Sequence, residues 1–192
     1  MKNILIINGH PNKESFNFAL AEAYLKGIQT TDANVSVIAI ADLDFDPNLK
    51  FGYQERMELE PDLKAAWNKI KEADHLIWIH PVWWGGLPAI TKGFIDRLFL
   101  PGMAYQYREN SVWWDKLLKG KTAHIVTTLD QPSFYYRLLY TRPSVNQLKK
   151  TVLEFCGIKP VKVTYFGIIK TSDAKQREKW LQKAFQLGQK LA

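Results

Sequence analysis

Apolar and polar positions alternate in two registers along the chain, and the two registers take turns. Asn3–Asn8 (NILIIN) is a short continuous apolar run that stops at Gly9, the pattern of a strand buried on both faces. Phe16 to Gly27 changes to helical spacing, with Phe16, Leu20 and Tyr24 four apart. Asn34–Ile40 (NVSVIAI) reads as a second strand. Pro61 to Glu72 reads as a helix with proline in its first turn and Leu63, Ala66, Trp67 and Ile70 on one face. The alternation then continues with strand His75–His80, helix Pro88 to Phe99, strand Thr122–Thr128, helix Ser144 to Phe155 closed by Gly157, strand Val161–Phe166, and a last helix from about Asp173. Five strands separated by five helices predict a parallel sheet with helices on both faces, because parallel neighbours require crossovers. No linker, repeat or low-complexity tract interrupts the pattern, so residues 1–192 form one α/β domain.

In such a sheet, ligands bind outside the carboxyl ends of the strands, which singles out the loops after Asn8, His80 and Thr128. The glycine fingerprint of dinucleotide-binding folds does not follow the first strand, and no P-loop motif occurs. The first loop, Gly9-His10-Pro11-Asn12-Lys13-Glu14-Ser15-Phe16-Asn17, runs from a buried strand into a helix N-terminus. Free backbone N–H groups there favour an anion, His10, Ser15 and Asn17 add donors, and Lys13 adds charge. The plainer reading makes Ser15 an N-cap and His10 a surface residue. The second loop, His80-Pro81-Val82-Trp83-Trp84-Gly85-Gly86-Leu87-Pro88, places two indoles before two glycines, which suits a planar ring lying close to backbone. Core or interface packing is the alternative for each tryptophan. A phosphate seat beside a flat aromatic wall describes a flavin nucleotide better than a sugar or a peptide.

Composition narrows the classes further. Hydrophobic residues make up 46% and charged residues 23%, which supports a packed core. The run Ile4–Ile7 is shorter than a signal-peptide core, and Leu76–Thr91 is broken by prolines and glycines, so neither reads as a membrane span. The expectation is a soluble, cytoplasmic protein. Its net charge of +7 comes from dispersed lysines and arginines with no nucleic-acid motif, a solvated surface suited to anionic cofactors. The single cysteine, Cys156, excludes an internal disulfide and reads as a buried thiol. His75, His80 and His124 lie within or at the ends of strands and read as packing residues, and no histidine or carboxylate cluster has metal-ligand spacing. Asp42, Asp44 and Asp46 read as a solvated turn and Lys149-Lys150 as a helix surface pair. The Trp113-Trp114 pair fits a dimer interface or the core equally.

HPxxxSFN near the start, PVWWGGLPAITKGFIDRLF in the middle, then GMAYQY and EFCGIKPVKVTYFG together resemble the flavodoxin-like NAD(P)H:quinone oxidoreductases, the DT-diaphorase family and its bacterial relatives. The resemblance spans essentially the whole chain and implies non-covalent FMN or FAD, NADH or NADPH as electron donor, and a homodimer with the active site at the subunit interface. By that resemblance, His10, Ser15, Phe16 and Asn17 match the flavin phosphate loop, and Pro81, Val82, Trp83, Trp84 and Gly85 match the stretch along the isoalloxazine ring. Thr127 and Thr128 open the loop after the fourth strand, and Tyr135 matches a tyrosine at the flavin's polar edge. Tyr105 and Tyr107 match aromatics that cover substrate in the partner's pocket. Relatives typically read TTGG where this chain has Thr127-Thr128-Leu129-Asp130, and Asp130 is expected to point away or to cap a local turn. The implied reaction is ping-pong, two-electron reduction of a quinone or similar flat acceptor, with azo, nitro or flavin substrates as neighbouring possibilities. Two other classes stand beside it. One is an electron-carrier flavodoxin, against which the positive charge and the GMAYQY segment count. The other is an ancillary subunit of a membrane potassium-efflux system, a peripheral partner that the sequence leaves open.

Overall fold

The computed structural model describes residues 1–191. Its strands are β1 (Asn3–Asn8), β2 (Asn34–Ala39), β3 (His75–Pro81), β4 (Tyr105–Tyr107), β5 (Trp114–Lys116), β6 (Thr122–Thr128) and β7 (Val161–Phe166). Five of them form one parallel sheet in the order β2-β1-β3-β6-β7, and β4 and β5 form a small antiparallel hairpin on the crossover between β3 and β6. The helices are α1 (Phe16–Ile28), α2 (Pro61–Glu72), α3 (Ala89–Leu98), a short α4 (Ser133–Leu138), a composite α5 (143–156) and α6 (Ala174–Gln189). Every residue of the central β3 is buried, which is why its sequence shows no alternation. The order reverses direction between β1 and β3, so their carboxyl ends open the crevice in which this topology binds ligands.

Alternate side chains send each strand to two separate cores. Leu5, Ile7, Trp78, Ile125 and Val161 face α2, α3 and α5, whereas Ile4, Ile6, Ile77, Ile79, Val126 and Phe166 face α1 and α6. Helices α1 and α6 cross at backbone contact: a Cβ at Gly27 would overlap the Phe185 carbonyl, and one at Gly188 the Tyr24 carbonyl. The buried Arg97 of α3 holds the long loop before α2, donating to Glu60 Oε1 and Oε2 at 3.0 and 2.9 Å and to the Asp46 and Glu58 carbonyls.

Predicted and observed elements agree closely, with informative departures. Strand β2 ends at Ala39, and Ile40–Asp42 forms a 3₁₀ turn instead. The helix expected from Ser144 to Phe155 runs over 143–156, but its middle, Gln147–Leu153, is π-helical. The Thr151 hydroxyl donates to the Gln147 carbonyl at 2.6 Å, a bond that competes for the acceptor of a regular α-turn. The β4–β5 hairpin and α4 are too short to give a periodicity.

Candidate functional site

The loop after β1 is built to present donors. Gly9 passes so close to α3 that a Cβ would overlap the Thr91 hydroxyl, which donates to the Gly9 carbonyl at 2.7 Å. Asn8 Oδ1 takes the His10 N–H at 3.1 Å, and the Asn12 N–H points at His10 Nδ1 at 3.0 Å. That second bond fixes the His10 tautomer: Nδ1 accepts, so the neutral ring carries its proton on Nε2. Burial lowers the His10 pKa below its ordinary value, which keeps the ring neutral. Ser15 occupies the N-cap position of α1 yet its side chain caps nothing. Its Oγ is buried and unpaired, as is Asn17 Nδ2, while Asn17 Oδ1 accepts from the Thr128 hydroxyl at 2.8 Å. The Phe18 and Ala19 amides turn back onto the Ser15 carbonyl. At the mouth of α1, buried donors thus face a recess of roughly 150 Å³ lined by His10, Ser15, Phe16, Asn17, Pro81, Trp83 and Thr128 among others. Unpaired buried donors are costly unless a ligand takes them, and this set calls for an anion. Lys13, expected to add charge here, pairs with Asp42 instead.

After β3 the chain makes a tight reversal. Trp83 and Gly86 exchange N–H···O bonds of 3.2 and 2.8 Å, and the residues between them, Trp84 and Gly85, have φ of 50° and 76°. Two positive φ values mark a type I′ turn, which glycine tolerates at Gly85 and a tryptophan at 84 does not tolerate freely. Trp84 also projects fully into solvent, at 106% of its reference exposure, so neither packing nor backbone comfort explains it. Trp83 meets the edge of His10 at 5.4 Å, linking the turn to the anion seat.

A second, larger cleft of about 540 Å³ adjoins the first and shares Val82 and Asp130 with it. Trp84, Gly85, Gln131, Tyr136, Tyr140 and Pro143 complete its lining. Tyr136 is wholly buried and fastens the turn: its hydroxyl donates to the Gly85 carbonyl at 3.1 Å, lies 2.7 Å from Ser144 Oγ and accepts the Ser144 N–H at 3.0 Å. Strain gathers around this opening. Besides Trp84, Thr141, Arg142 and Ile168 sit in the left-handed region, leaving only Asn110 of the non-glycine cases elsewhere among the described residues. Asp130 Oδ1 accepts the Lys170 N–H at 3.0 Å, so it caps the turn after β7 as well as lining the cleft.

The structure therefore brings together His10, Ser15, Phe16, Asn17, Pro81, Val82, Trp83, Trp84, Gly85 and Thr128 at two joined recesses. Thr127 lies under them on the opposite sheet face from Thr128, wholly buried with its hydroxyl unpaired. Tyr135 lines neither recess; its ring packs edge-on against Tyr140 at 5.3 Å, and its neighbour Tyr136 takes the buried position, because only one of two adjacent residues on α4 faces the core. Tyr105 is buried against Phe155 at 4.9 Å, whereas Tyr107 beside it is 54% exposed, and neither reaches the cleft of its own chain. Asn8, Tyr136, Tyr140 and Ser144 have no motif to announce them; Asn8 alone leaves a trace, a polar residue ending an apolar strand at the ligand edge. The buried histidines make packing bonds: His75 with the Thr122 hydroxyl, His80 with the Pro81 carbonyl, and His124 with Tyr24 and Thr164. Burial pushes the Cys156 thiol up to about 12. Trp114 stacks on Phe155 at 4.2 Å, while Trp113 is exposed. Lys149, expected at the surface, is half-buried and donates to the Val161 carbonyl at 2.8 Å. Among the described residues no group of three or more histidines, cysteines and carboxylates is arranged to hold a metal, and no helix is long and apolar enough to cross a membrane.

Comparison with known proteins agrees with this fold. Residues 2–189 match a family model described as a flavodoxin-like fold. A Haemophilus influenzae protein named as an uncharacterized NAD(P)H oxidoreductase is 30% identical, over 97% of this chain and 94% of its own. NAD(P)H dehydrogenase [quinone] 1 of Cavia porcellus is also 30% identical, over 82% of this chain but only 65% of its own length. The crystal structure of Smu.1420 from Streptococcus mutans superimposes with a TM-score of 0.83 and 37% identity, covering 98% of this chain and all of that one.

Proposed function

The chain belongs to the flavodoxin-like family, and on that premise we propose that it is a flavin-dependent NAD(P)H oxidoreductase that reduces quinones or similarly flat acceptors by two electrons. The observation that carries the reading is the pair of joined recesses, one lined by unpaired buried donors at a helix N-terminus, the other walled by a strained aromatic turn. His10 Nε2–H, Ser15 Oγ–H, Asn17 Nδ2–H and the Phe16 and Asn17 amides at the start of α1 would hold the phosphate of FMN or FAD, and Val82, Trp83, Trp84 and Gly85 would flank the ring. When bound, the flavin supplies the hydride chemistry, accepting from NADH or NADPH and giving to the acceptor. The protein's own part is binding, orientation and exclusion of water. Tyr136 and Ser144 keep the Gly85 carbonyl turned into the protein, so the ring-facing edge of the turn stays fixed.

A homodimer is part of the proposal. Tyr53, Tyr107 and Trp113 are 70%, 54% and 66% exposed, more aromatic surface than a solitary chain leaves in water. Tyr107 would reach the acceptor of the partner subunit, with the buried Tyr105 as its support at a ring distance of 5.3 Å. Two flat substrates used in turn over one ring give ping-pong kinetics, so double-reciprocal plots at several acceptor concentrations are expected to be parallel. Intersecting lines, or full turnover by a sedimenting monomer, would overturn the mechanism or the dimer respectively.

A further inference from the structure

The charge of the two joined recesses runs against that of the chain. Although the net charge is +7, no lysine or arginine lines either recess, and the one charged side chain in both linings is Asp130. His10, the only histidine there, is kept neutral by burial. The anion seat therefore works through neutral donors, while a carboxylate stands at its junction with the ring cleft, since Val82 and Asp130 are the two residues common to both recesses. The chain holds that carboxylate in place from two sides. Leu129 before it is buried, donates its N–H to the Phe166 carbonyl at 3.0 Å and accepts the Ile169 N–H at 3.2 Å. Asp130 Oδ1 accepts the Lys170 N–H at 3.0 Å, a bond that uses one of the two carboxylate oxygens and, coming from a neutral amide, leaves the charge whole. No cation forms an ion pair with Asp130 among the described residues. Lys170 gives it only a backbone amide, and Arg137 and Arg142 are engaged with Tyr165.

We propose that the Asp130 carboxylate sets the reducing strength of the bound flavin by opposing the negative charge that reduction brings to the ring. This rests on the functional reading above and adds a residue that neither the phosphate seat nor the ring wall requires. A hydride carries two electrons and one proton, so a ring that accepts it gains one negative charge until a solvent proton follows. A fixed carboxylate between the two recesses repels that charge, and so weakens the hold on the reduced form more than on the oxidised form. The phosphate bears the same charge in both forms, so its own repulsion cancels from the comparison. The consequence is a lower midpoint potential. The step from NADH or NADPH loses driving force, and the step to the acceptor gains the same amount.

The test is the midpoint potential of the flavin-loaded protein, measured by anaerobic equilibration with a reference dye, for the native chain, Asp130→Asn, Asp130→Ser and Asp130→Glu. Asparagine keeps an oxygen for the Lys170 N–H while removing the charge, so the urea midpoint is expected to stay unchanged. Asp130 is exposed, which sets the scale at that of a screened charge. The ratio of reduced to oxidised flavin affinity is expected to rise about tenfold in Asp130→Asn, a potential about 30 mV higher for a two-electron couple. Asp130→Ser shows the same rise, Asp130→Glu keeps most of the native offset, and high salt narrows the gap between native and neutral variants. In half-reactions, Asp130→Asn is reduced faster by NADH or NADPH and reoxidised more slowly by a quinone. A rise smaller than about 9 mV in both neutral variants, a twofold ratio, would overturn the proposal, as would a fall. So would a variant that binds oxidised and reduced flavin more tightly by the same factor, which assigns the carboxylate to the phosphate instead of the ring. A preparation that neither carries nor takes up flavin refutes the functional reading itself, a result distinct from all of these.

Discussion

Tyr136→Phe isolates the fastening of the aromatic turn. The hydroxyl is wholly buried and serves three groups: the Gly85 carbonyl at 3.1 Å, Ser144 Oγ at 2.7 Å and the Ser144 N–H at 3.0 Å. Phenylalanine keeps the ring and its packing, so the change removes hydrogen bonds alone. The Ser144 amide retains a second acceptor, the Gly85 carbonyl at 3.1 Å, which leaves two bonds lost outright and Ser144 Oγ stranded. At about 1 kcal/mol per bond, with the stranded hydroxyl adding a share of its desolvation cost, the expected loss is about 2–3 kcal/mol. Urea unfolding of the apoprotein measures it as a lower midpoint at unchanged slope. Flavin affinity is expected to fall with it, because the turn that flanks the ring is no longer held. A variant within about 0.5 kcal/mol of the native protein, the scatter of a neutral surface change, would show that these contacts do not hold the turn.

Replacing Ser15 and Asn17 by Ala removes two unpaired donors from the anion seat, and each is expected to weaken flavin binding about tenfold or more, the worth of one charge-assisted bond; equilibrium dialysis with unchanged retention would reject the loop as the phosphate seat. Trp84→Gly relieves a left-handed tryptophan and is expected to raise apoprotein stability by up to about 1 kcal/mol while lowering acceptor kcat/KM; loss of stability together with unchanged kinetics would contradict the strain argument. Burial holds His75, His80 and His124 neutral, with pKa values pressed to about 4 against about 6.5 in an unfolded chain. As pH falls the unfolded chain takes up protons first, so the stability these groups provide is whole above about pH 6.5 and drains away toward pH 4. Urea midpoints at about pH 7 and about pH 5 are expected to differ, and to differ less in His75→Asn; equal midpoints would contradict the assignment.

The sheet was legible because its central strands β1, β3 and β6 are buried on both faces and its helices on one, and those two periods differ. Strands at Asn3, His75 and Thr122 begin where the apolar runs begin, since the centre of a parallel sheet leaves little room for polar interruption, whereas the edge strand at Val161 alternates and exposes Lys162. The two recesses were legible through local chemistry: a donor-rich loop entering a helix, and two indoles followed by two glycines. What stayed hidden is long-range or local competition. Tyr136 and Tyr135 are indistinguishable in a six-residue helix until the core chooses one of them, and Ser144 acquires its role from Gly85, in a loop far earlier in the chain. Lys13 looked like a cofactor contact because its partner, Asp42, comes from beyond the far end of β2. The π-helical stretch depends on one threonine bonding backward, a choice that no hydrophobic pattern records.

The most direct test of the central claim is the visible absorption of the purified protein under anaerobic conditions. A flavin spectrum at about one cofactor per chain is predicted, bleached by one equivalent of NADH or NADPH and restored by one equivalent of a quinone. A protein that stays colourless after incubation with FMN and with FAD, or a bound flavin that neither nicotinamide reduces, would contradict it.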